Sequence, residues 1–249
     1  MKSLDAAIVT MRNSSKRLPN KSIAKITDKL TAADIIIQRA KLTGLPVILA
    51  TSTDQSDDSL EVIGKNQNIS VFRGSLHNKI KRWYDCFTEY NLENALLIDG
   101  DDLCYDFEIG QRALSELKVV KSDIIWVTPE IVTGLFTLAI TKTAIQKLYD
   151  CASDDNLNMD LFTHIFEEAK LKIQYITLKE HEKNKDIRLT LDYEEDLEFF
   201  KKLYDQISHE STGKEIIGFL MKNPNIVTIN YHREKDFLEN KKIEVEDDR

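Results

Sequence analysis

Four short apolar runs, Ala6–Val9, Pro46–Ala50, Ile69–Phe72 and Ala95–Ile98, recur along the first half of the chain, and the stretches between them carry helical patterning. Runs of this length suit single buried strands. Ile35, Ile36 and Ile37 lie in a helix pattern ending near Gly44, and Leu60 to Lys65 reads as a short helix. The best-defined helix sets Ile80, Trp83, Tyr84 and Phe87 at i, i+3, i+4 and i+7, which places Trp83 and Tyr84 in one core-facing stripe. Strands alternating with such helices predict an α/β fold, a mostly parallel, Rossmann-like sheet with helices on both faces. Ligands of such sheets bind beyond the carboxyl ends of the strands. Two unusual loops, 10–21 and 99–106, each follow a strand and therefore share that edge.

The pattern changes from about Ile124. Segments 124–127, 134–140 and 172–177 read as strands and 142–150 and 158–169 as helices, an α+β second half. A charged loop over 179–187 precedes Arg188–Leu191, read as a strand, which leads into a helix whose apolar face is Leu197, Phe200, Leu203, Tyr204 and Ile207. One domain over 1–249 is expected, with a parallel half to about 125, an α+β portion over about 126–187 and a return to the core at 188–230. The last eight residues, rich in acid, are expected to fray.

Charge and hydropathy narrow the partners. Against 34 Lys and Arg stand 42 Asp and Glu, a formal charge of −8, whereas nucleic-acid backbones favour a cationic surface. No stretch approaches the roughly 18 consecutive apolar residues of a membrane span, and Met1–Asp5 runs into a strand-like segment unlike a leader. Cys86, Cys104 and Cys151 form no Cys-x-x-Cys pair, which argues against a disulfide framework and a structural zinc site. A cytoplasmic location is the expectation.

The chemistry gathers in the two loops. Met11 to Lys21 packs four cations, Arg12, Lys16, Arg17 and Lys21, with the hydroxyls of Ser14 and Ser15, directly after a buried strand. Polyphosphates call for that mixture, because cations neutralise charge while hydroxyls and backbone N–H groups give direction. The glycines of a Walker loop or a dinucleotide fingerprint are missing, and a solvated basic loop would have the same composition. The fourth apolar run ends abruptly in Asp99-Gly100-Asp101-Asp102. Mg²⁺ takes one or two carboxylates and completes its octahedron with water and phosphate oxygens. For Asp99, Asp102 and Asp106 a solvated acidic turn is the simpler reading. Asp192 with Glu195 has capping-box spacing, which by itself favours a helix cap. Cys104 has no histidine close in sequence to activate it. His77 opens a helix and could face a nucleotide, and His164, near Phe162 and Phe166, suits packing or a subunit contact.

Ile8 to Arg12 with Leu18-Pro19-Asn20-Lys21 resembles the opening of the cytidylyltransferases that activate acidic sugars: an apolar strand, Ala-Arg, a short turn, then Arg-Leu-Pro-x-Lys. That superfamily includes the acylneuraminate and keto-deoxy-octulosonate cytidylyltransferases and a spore-coat-polysaccharide (SpsF-like) branch. The stretches Leu49–Asp54 with Asp57-Asp58, Val71–Ser75 with Arg82 and Tyr84, and Arg188–Asp192 with Glu195-Asp196-Leu197 match that last branch in order. Asn223-Pro224-Asn225 with Ile229-Asn230 also resembles it, so the likeness spans most of the chain. The sequence departs from the family at Met11, where Ala is usual, at Asn13, where Gly or Met is common, and at Leu103, where Pro follows the Gly-Asp motif.

The resemblance implies a nucleotidyltransferase that joins CMP from CTP to an acidic sugar, releases pyrophosphate and uses Mg²⁺. Carried over by position, Arg12 and Lys21 would hold the triphosphate, supported by Ser15 and Arg17. Arg73 and Arg82 would lie near cytosine or ribose, and Asp101 and Asp192 would hold the metal. The sugar's carboxylate needs a cation, for which Lys142 or Lys185 could serve. A homodimer through the second half is implied, with neither nucleic acid nor membrane as partner. A metal-dependent glycosyltransferase and a non-catalytic nucleotide-binding relative are the alternatives.

Overall fold

The computed structural model of the chain describes residues 4–15, 17–152 and 162–236, with backbone alone at 162–164. Lys16, residues 158–161, the His164 side chain and the acidic end fall outside that description.

The four apolar runs are the strands β1 (Leu4–Thr10), β2 (Val47–Ser52), β3 (Ser70–Gly74) and β4 (Leu92–Asp99). Between them run α1 (Ala32–Lys41), α2 (Asp58–Asn66) and α3 (Lys79–Glu89). The helix α1 starts where Thr31 and Asp34 form a reciprocal capping box, and α3 where the Asn78 side chain accepts from the Lys81 N–H. Three further strands, β5 (Ile124–Trp126), β6 (Leu138–Thr141) and β7 (Ile173–Tyr175), complete a seven-stranded sheet in the order β3-β2-β1-β4-β6-β5-β7. The pairings are parallel except the two made by β6. This is the mostly parallel α/β sheet that the alternation predicts.

Along β1 the side chains alternate between two cores, Ala7 and Val9 on one face and Ala6 and Ile8 on the other. The first core takes in α1, α4 (Phe107–Val120), α7 (Glu194–Gln206) and α8 (Gly213–Lys222); the second takes in α3 and α5 (Lys142–Cys151). Trp83 is buried as expected, and Tyr84, half-buried, stacks on Tyr149 with ring centroids 4.1 Å apart.

The second half departs from the expected pattern in three places. The strand expected over 134–140 begins only at Leu138, because Gly134 turns the chain at φ +88° and the backbone of Leu189 lies where a Cβ would be. The strand expected over 172–177 is confined to Ile173–Tyr175. Arg188–Leu191 is not a strand. Leu189 N–H donates to Thr133 O at 2.9 Å and Leu191 N–H to Asp101 O at 2.9 Å, so the segment passes between two partners and builds a ladder with neither. Its five residues to Asp192 are all buried, which removes the one-sided exposure of an ordinary half-buried strand.

Candidate active site

The two chemically unusual loops meet at the carboxyl edge, as parallel strands require. β1 ends at Thr10 beside Asp99 of β4, and the Gly100 N–H donates to Thr10 O at 2.9 Å. Met11, larger than the family's usual Ala, packs over Gly100. A Cβ there would lie 2.5 Å from that of Met11, so glycine makes the room. The other departure in the loop is an anchor: buried Asn13 donates its N–H to Asp57 Oδ1 at 2.7 Å and its Nδ2 to Ser56 O and Ser59 Oγ at 2.8 and 3.0 Å. Ser15 Oγ accepts from the Leu18 N–H at 3.3 Å and shapes the turn.

Asn20, in the left-handed region at φ 58°, turns the chain into the short 3-10 helix that carries Lys21. The Lys21 ammonium then donates to Asp101 Oδ2 at 2.7 Å, Asp192 Oδ1 at 3.0 Å and Leu191 O at 2.8 Å. Arg17 Nη2 donates to the same Asp192 Oδ1 at 2.8 Å. Residues 80 and 171 positions from Lys21 thus converge on one ammonium. Burial alone would lower the Lys21 pKa, but Asp101 and Asp192 outweigh it and hold the ammonium above its ordinary range. Burial would likewise raise Asp192; Lys21 and Arg17 outweigh that and hold it well below the usual carboxylate range.

Asp192 is not the helix cap. The Asp196 carboxylate accepts the N–H groups of Asp192 and Tyr193 at 2.8 and 3.0 Å at the start of α7, leaving the Asp192 side chain to the cations. The acidic turn is not solvated at Asp102 and Asp106, while Asp99 stays partly exposed. Asp106 is buried and caps α4 by accepting from Glu108 and Ile109, and Asp102 is buried with its pKa raised by burial and by Asp101 and Asp99. Leu103, at the family's proline position, is buried. Asp99 pairs with Lys79 at 2.5 Å, a contact that nothing in the local sequence marks.

The remaining arginines differ in their surroundings. Exposed Arg12 donates Nη1 to Leu76 O at 2.9 Å. Arg73 is engaged on every nitrogen, with Ser52 O, Asp54 O, Glu61 and Asp58 at 2.7–2.8 Å, and ties β3 to the end of β2. Arg82 is buried in α3 above Gly74, with Nε and Nη1 unpartnered, and burial together with the nearby Arg12 cation pushes its pKa down to about 10. Exposed His77 flanks α3. Buried Cys104 sits 3.3 Å from the Tyr204 hydroxyl, its thiol pushed up to about 11 by burial. Lys142 is removed from the site by topology. It follows β6, whose last residue Thr141 pairs with Asn94, toward the opposite edge of β4 from Asp99. Lys185 is exposed on the turn before Arg188.

Among the described residues no three His, Cys, Asp or Glu side chains cluster as a complete metal cage. Asp101, Asp192 and the Leu191 carbonyl already surround a cation with oxygen alone, the donor chemistry that suits Mg²⁺ when phosphate and water supply the rest.

A sheet of this order, with its cationic loop and paired carboxylates at the carboxyl edge, places the chain among the α/β nucleotidyltransferases. Residues 6–243 match the cytidylyltransferase family, and the chain belongs to it. The spore coat polysaccharide biosynthesis protein SpsF of Bacillus subtilis is 24% identical over 236 residues, covering 89% of this chain and 95% of SpsF. A cytidylyltransferase from Leptospira borgpetersenii shares the fold with a TM-score of 0.83 at 23% identity, covering 91% of this chain and 97% of that one. A CMP:2-keto-3-deoxy-manno-octonic acid synthetase complexed with CTP shares it with a TM-score of 0.63 at 13% identity, covering 82% and 99%. Among the described residues no helix is long and apolar enough to cross a membrane.

Proposed function

We propose that this chain transfers CMP from CTP to a hydroxyl of an acidic sugar, with release of pyrophosphate, for surface glycan synthesis. The observation that carries the reading is the Lys21 ammonium held between Asp101 and Asp192 at the carboxyl edge of the sheet. The sugar oxygen forms a bond to the α-phosphorus while the bond to the β-phosphate oxygen breaks. Pyrophosphate leaves with that electron pair, and the hydroxyl proton passes to solvent. Arg12 and Lys21 bind the triphosphate and the departing pyrophosphate, with Arg17 and Ser15 behind them. Arg82 and Arg73 border the nucleoside. Asp101 and Asp192 would hold Mg²⁺, which offsets charge on phosphate oxygens when bound. Catalysis then rests on positioning and electrostatic preorganisation.

The acidic sugar is supported by the sequence resemblance and by what the octonic acid synthetase makes. Lys185, rather than Lys142, is available for its carboxylate. We further propose a cytoplasmic homodimer that pairs through the second half, where the edge strand β7 leaves Tyr175 exposed. The test is pyrophosphate release from CTP with a panel of eight- and nine-carbon keto acids, run across a Mg²⁺ titration with Asp101→Asn, Asp192→Asn and the double variant. Either single change is expected to nearly abolish turnover, and the double to be little worse, because groups that act as a unit are non-additive. No sugar-dependent release by the parent enzyme would sink the reading. Unchanged turnover and Mg²⁺ dependence in Asp192→Asn would remove that residue from the metal site.

A further inference from the structure

Arg188 is 1% exposed, and its guanidinium is divided among three carboxylates. Nη2 donates to Asp192 Oδ2 at 3.1 Å, Nε and Nη2 to Asp196 at 3.0 and 3.2 Å, and Nη1 to Glu234 Oε2 at 3.0 Å. The two oxygens of Asp192 therefore face different neighbours. Oδ2 is taken from within by Arg188, while Oδ1 meets Lys21 and Arg17. A carboxylate turns broadly about its terminal torsion; one whose inner oxygen is pinned presents the other in a fixed direction.

Arg188 is itself braced from the far end of the chain. Glu234 Oε1 accepts from Thr133 Oγ1 at 2.9 Å, in the loop against which Leu189 docks. Asn230 Nδ2 donates to Asp196 Oδ1 at 2.9 Å and to Arg188 O at 3.2 Å. The Tyr193 ring lies 5.6 Å from the Arg188 guanidinium and 4.8 Å from that of Arg233. Residues 230–234 thus close over the back of the segment that carries Asp192.

We propose that Arg188 is a positioning residue for Asp192, and that Asn230 and Glu234 form the clamp that holds it. The proposal rests on the reading of Asp192 as a metal ligand. Partners that orient a ligand are worth roughly 10- to 100-fold in metal affinity. A cluster that only stabilises the fold would affect unfolding and leave metal binding alone.

The variant that separates these roles is Arg188→Lys. It keeps the charge, so that metal affinity does not change through simple loss of a nearby cation, but the one nitrogen of an ammonium cannot reproduce four contacts that the planar guanidinium makes from three separate nitrogens. Mn²⁺ binding in the presence of a non-hydrolysable CTP analogue is measured by electron paramagnetic resonance, beside the melting temperature and kcat and KM for CTP. The expected result is Mn²⁺ affinity weaker on the order of 10-fold, turnover that recovers as Mg²⁺ is raised, and KM for CTP unchanged at saturating Mg²⁺. Glu234→Ala, which trims the clamp at a partly exposed position, is expected to shift Mn²⁺ affinity in the same direction by less, and it decides the matter if Arg188→Lys does not fold. A lowered melting temperature with Mn²⁺ affinity unchanged overturns the proposal. Asp192→Asn in the same titration distinguishes the two layers: a Mn²⁺ site that survives it refutes the metal reading itself, and the positioning role with it.

Discussion

Lys21 cannot keep its position throughout the proposed reaction. Its ammonium lies 2.7 Å from Asp101 Oδ2 and 3.0 Å from Asp192 Oδ1, and a divalent ion bound by those oxygens would need the same space. The arriving triphosphate is the anion that would receive the displaced lysine. Lys21→Met is therefore expected to lose turnover on the order of 10²-fold, yet to bind Mn²⁺ more tightly than the parent when no nucleotide is present. A nucleotide-free Mn²⁺ titration checks this, and weaker binding in the variant would argue against a shared seat. The same pair couples charge to stability. Asp192, depressed by its cations, contributes stability that is complete above the ordinary aspartate range and lost as pH falls through its native value. Lys21, raised by its carboxylates, contributes stability that is complete below the ordinary lysine range and lost as pH rises through its own. Resemblance to a family pointed to all three residues and to a site shared by the two aspartates, but the ion pairing of Lys21 with both was not legible, since 80 and 171 positions separate it from them.

At the scale of the element, α3 combines a legible face with an illegible one. Ile80, Trp83 and Phe87 are buried as their spacing predicts, because a period of 3.6 is set by the backbone alone. Nothing in that spacing says that Arg82, in the same two turns, is also buried with Nε and Nη1 unpartnered, or that Arg12 adds a second cation beside it. Burying a cation without full hydrogen bonding costs stability. On the proposed reading, in which Arg82 borders the nucleoside, a bound nucleotide would offset that cost. Arg82→Met is expected to raise the unfolding free energy of the nucleotide-free protein, by about 1 kcal/mol or more, while weakening CTP binding about tenfold or more through loss of a charged donor. Denaturant unfolding and titration calorimetry read the two effects separately. A destabilised variant with unchanged CTP affinity would make Arg82 an ordinary core residue.

For the whole molecule, nucleotide binding and folding are linked, because a ligand bound only by the native state adds about 2.7 kcal/mol at a hundred times its Kd. CTP with Mg²⁺ is expected to raise the melting temperature more than ATP, GTP or UTP; equal shifts with all four would count against a cytosine-reading site. The alternation of apolar runs was enough to establish the strands of the first half, the parallel pairing and the edge where loops 10–21 and 99–106 meet, since strand length, helix period and crossover geometry are local properties of the chain. In the second half, direction and partnership were decided only in three dimensions. The reversal of β6 carried Lys142 toward the other edge of the sheet, and the passage of 188–191 between Thr133 and Asp101 made a buried connector of an expected strand. Asp102 and Asp106 left solvent because the turn that bears them is covered, and Arg188 met Glu234 from 46 positions away. Spacing along a chain reports which side chains share a face, whereas the charge that a buried group meets depends on distance through space, which packing alone sets.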